Sequence, residues 1–358
     1  MGPNCPKPAS GRSPTSSACW PERCQVQPTD PIETSDPARL PRAPVLSVLL
    51  LAYNHEDYLA AAIDSVLQQV PGMSLELLIG EDGSRDRSLE IAQRYQRAHP
   101  QRIRLIASTH NVGAFRNHRR LVRAARGRWI AHLDGDDYWL PGKLERQMRH
   151  LHQHPDCVAV YANARVIDRT GREIGLFNDL GTRDLDLATL LRHGNCLNTS
   201  SMVVRREVLE ELVADGSSFI DYRIHLHAAT HGPLHQIGEP LCVYRHQSAT
   251  SMVHTANDHV RELYFDAITA IPADRVDPAD LARGLADFLR RVVLRALRLR
   301  RPGLLRQWWP RVRAHAPVDA TELLGLTAVA CLRAGCGMLT EHARRLLDHR
   351  APRILYRR

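Results

Sequence analysis

"RWIAHLDGDDYW", residues 128 to 139, carries an apolar run (Trp129, Ile130, Ala131, Leu133) straight into three carboxylates, Asp134, Asp136 and Asp137. Carboxylates that close repel one another, and at the end of a buried strand they are costly unless a cation joins them. Three ordinary readings compete for this cluster. It is a solvated acidic loop, an Asp-x-Asp phosphatase motif of the haloacid type, or a grip on a divalent cation that in turn holds a diphosphate. The phosphatase motif follows the first strand of its fold, whereas this cluster follows the fourth.

Working upstream, order begins at "PVLSVLLLAYN" (44 to 54), where Val45 to Ala52 form a continuous apolar run of the kind a strand covered on both faces requires. Leu59, Ile63, Val66 and Leu67 then recur at helical spacing up to Pro71. "LELLIG" (75 to 80) predicts a second strand, followed by "EDGSRDRS" and a helix through Leu89, Ile91, Ala92 and Tyr95. "IRLIAS" (103 to 108) predicts the third strand and "RWIAHLD" the fourth. Strands alternating with helices argue for a parallel, covered sheet, in which ligands bind off the carboxyl ends of the strands. Tyr53-Asn54, Glu81-Asp82 and Asp134 to Asp137 are therefore expected to converge on one edge. Downstream, "CVAVYANARVID" and "TGREIGLF" read as a hairpin, "NTSSMVVRREVLEELV" as strand then helix, and "LHQIGEPLCVYRH" as two short strands around Gly238 to Pro240.

Composition sets the limits. The chain has 358 residues, 44% of them hydrophobic, enough for one large domain or two ordinary ones. Residues 1 to 43 are rich in Pro, Ser and Thr and read as a disordered tail. No stretch approaches the ~20 apolar residues that span a bilayer, and the start has no apolar signal region, so a cytoplasmic protein is expected. Eight cysteines show no CxxC pair and no zinc-like spacing against the 19 histidines, which fits free thiols. The net charge of +9 is uneven: residues 278 to 358 carry 17 Arg against 6 acids, a net +11, leaving −2 for the rest. An acidic front part offers no groove for tracking nucleic-acid phosphates, and no GxGxxG follows the first strand to suggest a dinucleotide enzyme.

"SVLLLAYNHEDYLAAAIDSVLQQ" (47 to 69), "LLIGEDGSRDRS" (77 to 88), "NVGAFRN" (111 to 117), "GRWIAHLDGDDYWLPGKLERQ" (127 to 147), "NTSSMVVRREVL" (198 to 209) and "VYRH" (243 to 246) stand in one order and spacing. In that, residues 44 to 254 resemble the family-2 glycosyltransferases. The resemblance implies the GT-A fold, a Rossmann-like and mostly parallel sheet flanked by helices, over residues 44 to 256. A helical, Arg-rich extension over 257 to 358 lies outside it. It implies transfer from a nucleotide-diphosphate sugar, with inversion, to a saccharide or lipid-linked acceptor. Uridine is the first expectation for the base, with thymidine or guanosine behind it.

By the same resemblance, Asp82 hydrogen-bonds the base and Tyr53 and Asn54 border the nucleotide pocket. Asp136 holds a Mg2+ or Mn2+ ion, with Asp134 on ribose or metal, and the ion offsets the charge of the leaving diphosphate. His246 stands where many such enzymes add a histidine to metal or pyrophosphate, and a structural hydrogen-bonding role is the alternative. Arg245 reaches phosphate or is packed. Arg116 and Asn117 touch the nucleotide or brace the loops, and His132 is structural. The catalytic base is implied at Asp221, which opens a helix but has Ile220 where the family often has an acid; Asp215 is the fallback. Glu81, Arg85 and Arg87 depart from the family's usual Asp, Thr and Gly. A catalytically silent scaffold of the same fold is the competing reading. Finally, Leu289, Val292, Val293, Ala296 and Leu299 form an apolar stripe beside Arg291, Arg295 and Arg298, followed by Trp308-Trp309. Such a helix lies on an anionic membrane surface or packs on the catalytic domain.

Overall fold

The apolar runs of the N-terminal half alternate between two cores, which is why they are continuous. In the computed structural model, strand β2 (Leu46–Ala52) sends Leu46, Val48, Leu50 and Ala52 into one hydrophobic cluster and Leu49 into the other, on the opposite face of the sheet. β3 (Leu75–Glu81) repeats this with Leu77 and Ile79 on one side and Leu78 on the other. The structure describes residues 32–33, 35, 40–41, 43–69, 73–246, 257–347 and 353–356.

In chain order the elements are β1 (Ile32–Glu33), β2, α1 (Leu59–Leu67), β3, α2 (Ser88–Ala98), β4 (Ile103–Ala107), α3 (Ala114–Ala124), β5 (Trp129–Asp134), β6 (Tyr138–Trp139), α4 (Lys143–Gln153), β7 (Ala159–Ile167), β8 (Glu173–Asn178), β9 (Arg183–Leu185), α5 (Leu187–His193), β10 (Val203–Arg205), α6 (Arg206–Leu212), α7 (Asp221–Ala229) and β11 (Leu234–Arg245). Helices Asn257–Thr269, Pro278–Leu299, Gly303–His315 and Ala320–Leu347 follow, and β12 (Arg353–Tyr356) closes the described chain. The sheet order is β1-β4-β3-β2-β5-β10-β7-β11-β6, with β8 on β7, β12 on β8 and β9 on β11. β4, β3, β2 and β5 are parallel neighbours, and β10 is inserted antiparallel between β5 and β7. The register sets Ala52 beside Glu81 and Leu51 beside Asp134, so the expected convergence on one edge is met.

Three readings of the sequence change. Ile32–Glu33, within the stretch expected to be a disordered tail, pairs antiparallel with β4, and Glu33 binds the Arg104 guanidinium at 2.8 Å; positions 1–31 lie outside the described residues. β11 is one strand where two were expected, because it passes Gly238 to Pro240 by shifting register against β7 rather than by turning. The apolar stripe of the helix Pro278–Leu299 is not presented to a surface: Leu289, Val292 and Ala296 are buried against the domain, as is Trp308, and only Leu299 at its end is exposed. Burying such side chains is worth roughly 1.5–3 kcal/mol each, so this stripe serves packing on the domain, the second of the two readings, while Leu297 and Leu299 at the helix end stay exposed. Among the described residues no helix is long and apolar enough to cross a membrane.

Candidate active site

Four segments meet where β2, β3 and β5 end. After β2 and β3 the chain makes two loops that are fastened to each other. Asn54, in the left-handed conformation at φ 53°, accepts from the Arg85 main-chain N–H at 2.9 Å, and its own N–H donates to Ser84 at 3.0 Å. The His55 N–H donates to Ser88 and the Glu56 N–H to Asp86, while the Arg87 N–H donates to Glu56. The substituted Glu81 is buried and turns its carboxylate onto the Gly83 and Ser84 N–H groups.

Asp82 is buried and accepts from the N–H groups of Val112 and Gly113, at 2.9 and 3.0 Å, where α3 begins. Burial raises its affinity for a proton, against which these bonds and Arg120 work. Its carboxylate is thus a loop organiser in its own right, with lone pairs to spare. Asn117 is buried and donates to the Gly80 carbonyl at 2.7 Å, while Arg120 binds the Glu81 carbonyl; of the two roles open to Asn117 in the sequence, bracing is the one its contacts serve. Arg116 is exposed on α3, and Tyr53 is half-buried beside Asn54.

The acidic turn between β5 and β6 is held from beneath. Ser200 donates to Asp137 at 2.6 Å and lies 3.4 Å from Asp134, whose N–H in turn donates to Ser200. Asp137 is buried, also accepts from the Arg245 N–H at 2.8 Å, and is pushed well up by burial and by the charges of Asp136 and Asp134. His132, expected to be structural only, bonds Asp134 directly at 3.0 Å. Burial tends to raise Asp134, but His132 together with His55 and His118 outweighs it and the carboxyl is lowered. Arg245 spends its guanidinium on the carbonyls of Asp136 and Asp168 and stacks 4.1 Å over Tyr58, which braces the turn. His246 follows it and is anchored by its main-chain N–H, which donates to the Ile167 carbonyl at 2.8 Å.

Asp221 opens α7 as the sequence predicted. Asn195 donates to it at 2.9 Å and Thr199 approaches at 3.5 Å. Burial raises its proton affinity, the Asn195 bond works against this, and the negative Asp134 nearby raises it further. A helix start favours the charged form; desolvation prevails. Asp215, the fallback base, is exposed and committed to Ser217 and Arg223, which lower it. Asp137, Thr199 and Ser200 fall within stretches marked in the sequence but had no role read for them there, and Asn195 lies outside every marked stretch.

A glycosyl transferase family 2 model matches residues 47–213. An uncharacterized glycosyltransferase of Haemophilus influenzae is 30% identical over 183 residues, covering 51% of this chain and 71% of its own length. The chain belongs to glycosyl transferase family 2. An uncharacterized protein of Mycobacterium tuberculosis is 31% identical over 221 residues, 61% of this chain, and the match spans only 63% of that relative. In three dimensions this family-2 chain is similar to S. aureus TarS 1-349, solved in complex with UDP-GlcNAc, with a TM-score of 0.56 and 16% identity over 69% of this chain and 72% of that one. That likeness bears on the GT-A fold alone.

Proposed function

We propose that this family-2 chain is an active, inverting glycosyltransferase. In this reading it moves a sugar from a nucleotide-diphosphate donor, a UDP-sugar first, to a hydroxyl of a saccharide or lipid-linked acceptor. It would act in the cytoplasm, with residues 44–256 as the catalytic unit and 257–358 as a helical extension. The observation that carries the reading is the position of Asp221, held by Asn195 and joined to the acidic turn through Thr199, which approaches it, and the adjacent Ser200, which reaches Asp134 and Asp137. A silent scaffold has no need of a desolvated carboxylate opposite the diphosphate grip.

The donor set fits a Mg2+ or Mn2+ ion: Asp134 and Asp136 are half-exposed oxygen ligands at the strand end, and their charge already drives Asp137 upward. Bound there, the ion supplies Lewis-acid stabilisation of the departing diphosphate. His246 is a further candidate ligand. Asp82, Tyr53 and Asn54 receive the nucleotide. Asp221 takes the proton of the acceptor hydroxyl as its oxygen attacks the anomeric carbon from the face opposite the diphosphate; that bond forms as the bond to the diphosphate breaks, and the configuration inverts. A structural neighbour solved in complex with UDP-GlcNAc supports a UDP-sugar as the first donor to try.

Release of UDP from a panel of UDP-sugars with Mn2+ tests the reading. Turnover above background is expected, and Asp136→Ala should abolish it together with metal-dependent UDP binding in calorimetry. No hydrolysis or transfer with any nucleotide sugar, or unchanged UDP and Mn2+ affinity in Asp136→Ala, overturns it.

A further inference from the structure

At the other end of the sheet three imidazoles come together. His150 and His154 lie one turn apart at the end of α4, and His235 lies near the start of β11. One ring nitrogen from each falls within 4.8 Å of the others. The rings of His150 and His154 stack at 4.3 Å, and each is 4.9 Å from that of His235. His150 Nε2 and His235 Nδ1 face each other at 2.6 Å. Two imidazole lone pairs cannot meet at that distance without a cation or a proton between them. Zn2+ binds imidazole nitrogen at about 2.0–2.1 Å in a tetrahedral array, which separates its ligand atoms by about 3.4 Å. The 2.6 Å between His150 and His235 and the 4.8 Å limit on the three nitrogens bracket that spacing.

The far side of His235 supports the same conclusion. Its Nε2 lies 3.6 Å from a carboxylate oxygen of Asp184, its cross-strand partner on β9. A carboxylate that hydrogen-bonds the far nitrogen of a metal-binding histidine fixes its tautomer and leaves the other nitrogen free to ligate; Asp184 stands on the correct side for this, just beyond hydrogen-bond distance. The second histidine cluster, His227 and His231 with Glu211, lacks this: His227 Nε2 bonds the Val208 carbonyl, His231 Nδ1 bonds the His227 carbonyl, and its Nε2 already pairs with Glu211.

We propose that His150, His154 and His235 bind one divalent transition-metal ion, Zn2+ by preference, with Asp184 as the carboxylate that orients His235. Imidazole donors select such ions over the Mg2+ or Mn2+ that carboxylates favour. β11 runs from His235 to Arg245, so the two sites stand about 30 Å apart at ~3.3 Å per residue. The ion is structural: it pins the last turn of α4 to β11 and, through Asp184, to β9. The sequence reading found no zinc-like spacing because the HxxxH of α4 and its third ligand stand 81 residues apart.

The test uses the full chain, stripped with chelator and titrated with Zn2+ in saturating Mg2+, with bound metal measured by equilibrium dialysis and Co2+ substitution followed by its visible spectrum. One tight equivalent is expected in the parent and in Asp136→Ala, with a Tm that keeps rising with free Zn2+. His154→Gln, at the helix end, should weaken binding by at least ~100-fold and remove the tetrahedral Co2+ bands, and Asp184→Asn should weaken it by about 10-fold. If His154→Gln or the double variant with His150→Gln binds Zn2+ within about twofold of the parent, or if the parent binds no tighter than these variants, the proposal fails.

Discussion

Asp221 works as a base only while it is unprotonated when the acceptor arrives, and its surroundings pull both ways. Burial and Asp134 raise it, and the Asn195 amide lowers it. Asp221→Asn should reduce kcat by ~10²-fold or more, with donor affinity nearly unchanged. Asn195→Ala removes a bond to the charged form, so the acidic limb of the kcat profile should move to higher pH while activity above that limb persists. A limb that stays in place would show that Asn195 does not act through the carboxylate. His118 makes a separate prediction. It is buried, its ring nitrogens have no partner among the described residues, and burial together with His132 lowers it to about 3. A group whose folded pKa lies below its unfolded value contributes stability at high pH that is lost as pH falls from about 6.5 towards 3. His118→Leu should therefore flatten the fall of urea-unfolding stability through that window by up to ~1.4 kcal/mol per pH unit. The aspartates were legible because carboxylates at strand ends have few other uses. Ser200, Asn195 and His118 were not, because their roles arise only when segments far apart in sequence are folded together.

Among the elements, β3 bears the most concentrated polar burden. Glu76 is wholly buried in it, accepts from Ser47 on β2, and pairs with Arg104 on β4 and with Arg126 before β5. Removing one partner of such a network leaves buried charge uncompensated, so Glu76→Ala should cost about 3 kcal/mol or more, read from denaturant midpoints. A loss under about 1 kcal/mol would mean that the arginines find solvent instead. Asp82→Ala should have two separable effects: weaker UDP binding, and a destabilised entry to α3 from the freed Val112 and Gly113 N–H groups. The alternation of strand and helix was readable because both faces of β2 and β3 are covered, which produces unbroken apolar runs. β11 was misread as two strands because Gly238 and Pro240 look like a turn; the pairing with β7 carries the strand across them.

For the whole molecule, the helices after residue 257 complete a core. Leu285, Phe288, Leu289 and Val292 share a hydrophobic cluster with Leu190 and Leu191 of α5, and Trp308 packs edge-on against Phe288. A chain ending at 256 lacks this cover and exposes Leu190 and Leu191, at roughly 1.5–3 kcal/mol for each, and should lose cooperative unfolding in calorimetry; an intact transition would show the catalytic segment to be self-sufficient. Their Arg-rich composition was legible, but the direction of the apolar stripe was not, since a stripe has the same period whether it meets lipid or a neighbouring helix. β12 lies along β8, with Tyr356 against Phe177, and the two-residue β1 lies along β4. Each occupies main-chain groups that would otherwise point outward from a sheet margin. A margin left bare is a template for strand addition by another molecule. These two short segments accordingly guard solubility, and trimming 348–358 should turn a monodisperse preparation into one that forms fibrillar aggregates as its concentration rises.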